Sequence, residues 1–379
     1  MDLTQVAFQD AATRSYLGSP SLTRIPAGAP RYPGAIVVTH DYFGPGCARN
    51  HEDEEHLTTV HRSLDHGRTW RPVTHVANAF WSSIFAHRGA LYLLGCSQQY
   101  GSIVIRRSED GGDTWTHPAD GGSGLIATGG VRREPPNYHC APVPVLEYEG
   151  RLYRAFEDCD PCVWGSGFRS LVISADADAD LLRADAWTIS NRIAFDPAWV
   201  PAQWGALERP GWLEGNLVAA PDGRLLNILR LNSTPKVDVA AVVAIHDRGR
   251  RIDFDPATGF IEFPGGMTKF VIRRDPATGL YLTLSNNNTN PSRPTQRNIL
   301  SLHASEDLAR WRHVRTLLRD DLAHSRADSL RLTGFQYPDW HFDGEDIIAA
   351  VRTAYRGAHN FHDANRITFH RIERFRELL

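Results

Sequence analysis

Ser63-Leu-Asp65-His-Gly67-Arg-Thr69-Trp70 and Ser108-Glu-Asp110-Gly-Gly112-Asp-Thr114-Trp115 both fit the pattern S-x-D-x-G-x-T-W, and they begin 45 residues apart. Self-similarity at roughly 40 to 50 residues, built on short strands, is the period of a β-propeller blade rather than of a sandwich. The glycine at the fifth position suits a turn that requires positive φ. A degenerate third copy, Ser305-Glu-Asp307-Leu-Ala-Arg-Trp311, starts 197 residues after the second, close to four further repeats. These turns build a fold and say little about chemistry.

Beneath them runs a second repeat: a short strand, a turn with glycine, then a strongly apolar or aromatic strand. It is read at residues 21–39, 81–95, 139–156, 212–229, 267–284 and 337–351. Alternating Val, Ile, Leu, Tyr and Phe bounded by D-G, E-G and T-G turns is a hairpin signal, and no sustained helical period competes with it. The chain is therefore expected to be all-β, one propeller domain over residues 1–379 with six countable blades. One more strand, 366–375, follows the sixth copy. Residues 5–8 near the amino terminus are expected to complete its blade, so that pairing of the two terminal strands closes the ring and leaves no open sheet edge.

Composition narrows the function classes. A formal charge of −3 over 379 residues, with both signs interspersed, gives no electrostatic reason to expect nucleic acid or a membrane surface as partner. No apolar run approaches the roughly 18 residues that span a bilayer. Residues 1–18 carry neither a basic n-region nor an apolar h-region, so a cytoplasmic protein is expected, with secretion left to a trimmed form of the chain. Five cysteines do not make a disulfide framework, and Cys159-Asp-Pro-Cys162 has the spacing of a zinc half-site without a second half.

Propeller sites form where inner strands converge on the axis. His40 ends the run Ala35-Ile-Val-Val-Thr39 and is followed by Asp41-Tyr42-Phe43; it reads either as a capped strand end or as a proton-transfer group. Tyr138 and His139 are neighbours on extended chain, so only one of them can face a shared site. Arg154 sits in the apolar strand that follows, where its guanidinium requires an anion: Glu157, Asp158, or the carboxylate of a substrate.

The S-x-D-x-G-x-T-W turns resemble the Asp boxes of the sialidase superfamily, in which the Asp accepts backbone N–H groups and the Trp packs between blades. The runs THDYFG, NYHCAPVPV, GRLYRAFED and YPDWHFDGEDIIAAVRTAY, with HNFHDANRITFHRI after them, resemble the sialidase-fold polysaccharide lyases that act on ulvan and on rhamnose–glucuronate linkages. That resemblance implies seven blades and a uronate-containing oligo- or polysaccharide as partner. It also implies β-elimination in which Arg154 neutralises the uronate while His40 and Tyr138 divide the roles of base and acid. His139, Arg230, Lys269, Arg297, Trp81 and His362 are then candidate substrate contacts, with Trp340 a further stacking candidate. Elimination needs no redox cofactor. A structural calcium or zinc ion would be sought at Cys159, Cys162 or the His359/His362 cluster.

A second reading is a sialidase or another glycoside hydrolase. Arg24-Ile25-Pro26 resembles the run carrying the first arginine of the sialidase triad, and Glu214 matches the position of the catalytic Glu. Arg230 and Arg297 would complete three arginines, and Tyr337 would be the nucleophile activated by Glu214. An acidic general acid is missing from that reading, since its place holds His40-Asp41-Tyr42. A third reading is a non-catalytic, carbohydrate- or protein-binding propeller.

Overall fold

The computed structural model describes residues 3–322 and 325–379. Their strands assemble into six antiparallel sheets. The innermost strands of blades 1 to 6 are Ser21–Arg24, Phe80–His87, Leu146–Tyr148, Gly211–Ala219, Val271–Arg274 and Gly334–Asp343. Blade 6 is completed by Thr4–Phe8, which pairs antiparallel with Arg366–Ile372. The six blades counted from the repeats are present; the seven implied by the lyase resemblance are not. The chain between blades 3 and 4 is long enough to suggest another blade, but its strands Trp187–Ile189 and Ile193–Ala194 both add to the outer edge of blade 3. The one α-helix among the described residues, Arg326–Leu332, is far too short to cross a membrane.

The Asp boxes close blades 1, 2 and 5 between their third and fourth strands. In the first, Asp65 accepts from the Thr69 N–H (2.8 Å) and hydroxyl (2.6 Å), Ser63 Oγ accepts from the Gly67 N–H, and Trp70 Nε1 donates to the Gly67 carbonyl. The second repeats this bond for bond around Asp110 and Trp115. The degenerate third is one residue shorter, with Leu308 at φ +67° giving the carbonyl that Trp311 Nε1 reaches. Each Trp wedges between blades: Trp70 lies 5.3 Å from Phe369 of blade 6 and Trp311 lies 5.0 Å from Phe263. A Cβ on Gly67, at φ +91°, would meet the Phe369 ring at 2.2 Å, so the glycine answers both the backbone and the packing.

Three inner strands are interrupted. Their registers shift between Phe80 and Ser83 in blade 2, Leu213 and Asn216 in blade 4, and Gln336 and Asp339 in blade 6. Inside each β-bulge one non-glycine residue has positive φ: Trp81 (+48°), Glu214 (+56°) and Tyr337 (+52°). A bulge inserts a residue that the alternation of the strand does not place, and so re-aims its side chain. All three residues face one cavity.

Candidate active site

That cavity, about 190 Å³, opens at the end of the axis where the inner strands begin. At its floor the Tyr337 hydroxyl donates to Glu214 Oε1 at 3.1 Å, and Arg230 Nη1 donates to Glu214 Oε2 at 2.9 Å and to the Tyr337 oxygen at 3.3 Å. Glu214 is buried, which disfavours its charge, but the charge of Arg230 and its hydrogen bonds outweigh burial and hold the carboxyl below its ordinary value. Arg297 and Arg352 pack on the Tyr337 ring with guanidinium carbons 5.5 and 5.0 Å from its centroid. Both are buried. Arg297 donates to the Gln336 side chain and Arg352 to the His362 carbonyl, and among the described residues no ion pair neutralises either. Burial presses both guanidinium pKa values downward, Arg352 to about 10. Two desolvated cations beside a phenol–carboxylate pair are a ready receptor for an anion.

Across the cavity stands Asp41, on the second strand of blade 1, Ile36–Phe43. Its Oδ1 accepts from the Thr58 hydroxyl (2.7 Å) and its Oδ2 from the Trp81 N–H (3.1 Å). Burial pushes its carboxyl up to about 8 against those two bonds, which leaves it protonated at neutral pH. Asp41 belongs to the run His40-Asp41-Tyr42, which stands where the hydrolase reading looks for an acid. Arg352 was missed, although an arginine inside the apolar strand Asp346–Ala354 is the same signal that singled out Arg154.

The three residues expected to perform elimination do not meet at this cavity. His40 is fully buried behind it. Its Nδ1 faces the Asp41 carbonyl, which can only accept, so that nitrogen carries the proton and Nε2 accepts from His61 Nε2 at 3.2 Å. Burial lowers His40 to about 4, so at neutral pH it is an uncharged imidazole with both nitrogens engaged. Tyr138 packs into the apolar cluster between blades 2 and 3, and its phenol turns toward Arg192. Arg154 does find acceptors, but neither Glu157 nor Asp158 supplies them: its Nη atoms donate to the Ala155, Ala141 and Trp81 carbonyls and to Ser83 Oγ. The guanidinium ties blades 2 and 3 together.

Of the remaining candidates, His139, Trp81 and His362 line the cavity. His139 Nδ1 donates to the buried Glu157 at 2.9 Å and its ring stacks on Phe168, so it, and not Tyr138, is the member of that pair facing the site. Burial lowers His362 to about 4. Arg230 and Arg297 lie behind Glu214 and Tyr337, as described. Lys269 is buried with Nζ on the Pro338 carbonyl at 2.6 Å, a wall member rather than a substrate contact. Trp340 is wholly buried and bonds the Val271 carbonyl, which makes it blade packing. Arg24, expected in the arginine triad, lies at the far end of its strand, paired with Asp343 at 2.6 Å. Among the described residues no group of three or more His, Cys, Asp or Glu is arranged to hold a metal ion, Cys159, Cys162 and the His359/His362 cluster included, and all five cysteines are free thiols.

No protein-family model and no curated protein sequence matches the chain. Its likeness to solved structures is in fold. A Penicillium chrysogenum α-L-arabinanase complexed with arabinobiose aligns with TM-score 0.59 over 100% of this chain and 99% of its own, at 14% identity. A Hadza microbial sialidase aligns at 0.60 over 99% and 69%, at 14% identity. A Fusarium graminearum α-L-arabinofuranosidase in complex with an iminosugar inhibitor aligns at 0.60 over 99% and 98%, at 11% identity. The chain thus has the six-bladed propeller fold of the sialidase-like proteins.

Proposed function

We propose that the protein is a glycoside hydrolase that removes a terminal, carboxylate-bearing sugar with retention of anomeric configuration. The observation that carries this is the Tyr337–Glu214 pair facing a buried, protonated Asp41 across a cavity that Arg352 lines. The sugar carboxylate is received by Arg352, with the Arg297 charge behind the Tyr337 ring adding to the field. Tyr337 Oη attacks the anomeric carbon as its proton passes to Glu214, and Asp41 gives its proton to the departing oxygen. The carboxylate so formed on Asp41 then deprotonates a water that attacks the same carbon and breaks the tyrosyl bond, while Glu214 returns its proton to the departing phenolate oxygen. A tyrosine nucleophile departs from the usual carboxylate pair of retaining enzymes. Beside an anionic sugar a neutral phenol avoids the repulsion that a carboxylate nucleophile would meet, and the charge on Glu214 stays one residue removed. The structural neighbours named as hydrolases lend this reading support.

β-Elimination from a uronate finds less support, because Arg154 is occupied by carbonyls and His40 by His61 and Asp41. Incubation with sialosides and with glucuronides, followed by NMR of the products, separates the two. Free sugar released with retained configuration is the expected result. A C4=C5 double bond with new ultraviolet absorbance would replace hydrolysis by elimination, and full hydrolytic activity in Tyr337→Phe would remove the nucleophile.

A further inference from the structure

In a ring of six blades, blade 3 stands across the axis from blade 6. Arg352, on strand Asp346–Ala354 of blade 6, and His139, at the entry to blade 3, therefore line opposite walls of the cavity. His139 is fixed by a bridge to Glu157 in strand Arg151–Cys159: its backbone N–H donates to the Glu157 carbonyl at 2.7 Å, and its own carbonyl accepts from the Glu157 N–H at 2.8 Å. Aromatic rings enclose the imidazole, with Phe168 stacked at 4.4 Å between centroids, Trp81 at 4.3 Å and Tyr100 at 5.9 Å.

Nδ1 of that ring donates to Glu157 Oε2 at 2.9 Å; a carboxylate only accepts, so the proton sits on Nδ1 and the tautomer is set. The other carboxylate oxygen accepts from the Gly215 N–H at 3.4 Å, inside the bulge that carries Glu214. The imidazole is thus held relative to the Tyr337–Glu214 pair as well as to its own blade. Nε2 is left over. Among the described residues it has no hydrogen-bond partner, although the side chain is only 4% exposed. His40, by contrast, engages both ring nitrogens inside the protein. A polar atom so enclosed is stabilised when a ligand completes it. Nε2 accepts when the ring is neutral and donates when it is protonated, and a hydroxyl serves in both cases.

We infer that His139 is a specificity residue that reads one hydroxyl of the bound sugar, the one on the ring carbon opposite the carbon bearing the carboxylate. With the carboxylate on Arg352 against blade 6, the far edge of a pyranose faces blade 3 and Nε2. In a hexuronate that far carbon adjoins the anomeric carbon; in a nonulosonate it lies directly across the ring from it. The inference rests on the proposed hydrolysis and narrows its substrate class to acidic sugars with a free hydroxyl at this position.

The test measures kcat/KM on methylumbelliferyl glycosides of a hexuronic acid and of a 5-hydroxy nonulosonic acid, each beside the analogue lacking only that hydroxyl. The proteins are wild type, His139→Leu and the double variant His139→Leu/Glu157→Gln, which leaves no unpaired buried carboxylate where the single variant unfolds. Wild type is expected to prefer the hydroxylated member of the pair it cleaves by about 10- to 100-fold, and the folded variants to bring that ratio close to one. The pair that responds distinguishes a hexuronate from a nonulosonate. A wild-type ratio near one, or a folded variant that keeps the wild-type preference, overturns the contact. A readout independent of turnover is the ring C–H NMR signal of His139, assigned by its loss in the variants, during titration with the free sugar acids. If wild type cleaves neither glycoside but a hydroxylated acid shifts this signal and its deoxy analogue does not, the hydrolase reading fails and the contact stands. Equal shifts from both acids, or none from either, overturn the contact whatever the chemistry.

Discussion

The box turns of blades 1 and 2 and the bulges in the inner strands of blades 2, 4 and 6 both need left-handed backbone, and they meet the need in opposite ways. At their fifth position the boxes use glycine, Gly67 at +91° and Gly112 at +95°; the residue before it is His66 (+61°) in the first and Gly111 (+77°) in the second. The bulges use Trp81, Glu214 and Tyr337, residues for which this conformation costs about 1–3 kcal/mol each. Glycine would relieve that cost and leave no side chain to face the cavity. In the boxes glycine relieves the fifth position; in the bulges the strain is held in place by partners, Asp41 on the Trp81 N–H and Arg230 on both Glu214 and Tyr337. Regularity marks the parts of this ring that hold it together, and broken regularity marks the part that lines the cavity.

The comparison can be broken at several points. The largest effect is expected for Tyr337→Phe, which removes the attacking oxygen and leaves the ring: turnover should fall by at least about 10³-fold with an unchanged melting curve. Asp41→Asn should lower kcat/KM by about 10²- to 10⁴-fold on glycosides with poor leaving groups, and by less on activated aryl glycosides that depart without a proton. Because the Asp41 carboxyl is raised to about 8, the acid is present below that pH, and wild-type kcat/KM should decline as pH rises through about 8. The same group stabilises the fold most at low pH and progressively less as pH approaches 8, since the folded state holds a proton that the unfolded state releases. Melting temperatures of Asp41→Asn should therefore fall less steeply than those of wild type as pH rises from about 4 to about 8, the interval between the unfolded and folded values. A wild-type activity profile that is flat through pH 9 would remove the acid role.

On the structural side, Arg154→Ala should lower stability by several kcal/mol, because three buried carbonyls and a hydroxyl lose their donor, while activity measured well below the melting point persists. Loss of turnover in a folded Arg154→Ala protein would return elimination to consideration. Gly67→Ala should cost about 1–3 kcal/mol through its φ and the Phe369 ring. Asp110→Ala should cost about 1–3 kcal/mol through the lost turn bonds, with kcat unchanged, as calorimetry alongside the assay would show.

The same contrast explains what could be read in advance. Boxes and hairpins are local: S-x-D-x-G-x-T-W forms all its bonds within eight residues, so its geometry is carried by the sequence that repeats. The blade count followed from this, and the family resemblance that asked for a seventh misled, because strands 187–189 and 193–194 widen blade 3. The site is non-local. Tyr337 and Glu214 touch across 123 positions of chain. They were legible only through the resemblance to sialidases, and Arg24 shows how such a pattern fails when the strand delivers the residue to the far end, onto Asp343. Alternation could say that Tyr138 and His139 face opposite ways but not which faces the axis. The stacking of His139 on Phe168 and the bond to Glu157 settle that. His40 lies behind the cavity and its neighbour Asp41 lines it, so under the proposed hydrolysis the polarity at that strand end acts through Asp41.

The pairing of Thr4–Phe8 with Arg366–Ile372 joins positions separated by nearly the whole chain. An encounter at that separation is slow compared with the hairpins inside each blade. Until it occurs, a bare edge with free amide and carbonyl groups is exposed to other chains. Refolding yield should therefore depend on how fast this latch engages rather than on how fast blades form. A circular permutant opened in the exposed turn at residues 119–122 would make the same pairing a local event and is expected to refold faster and with less aggregation.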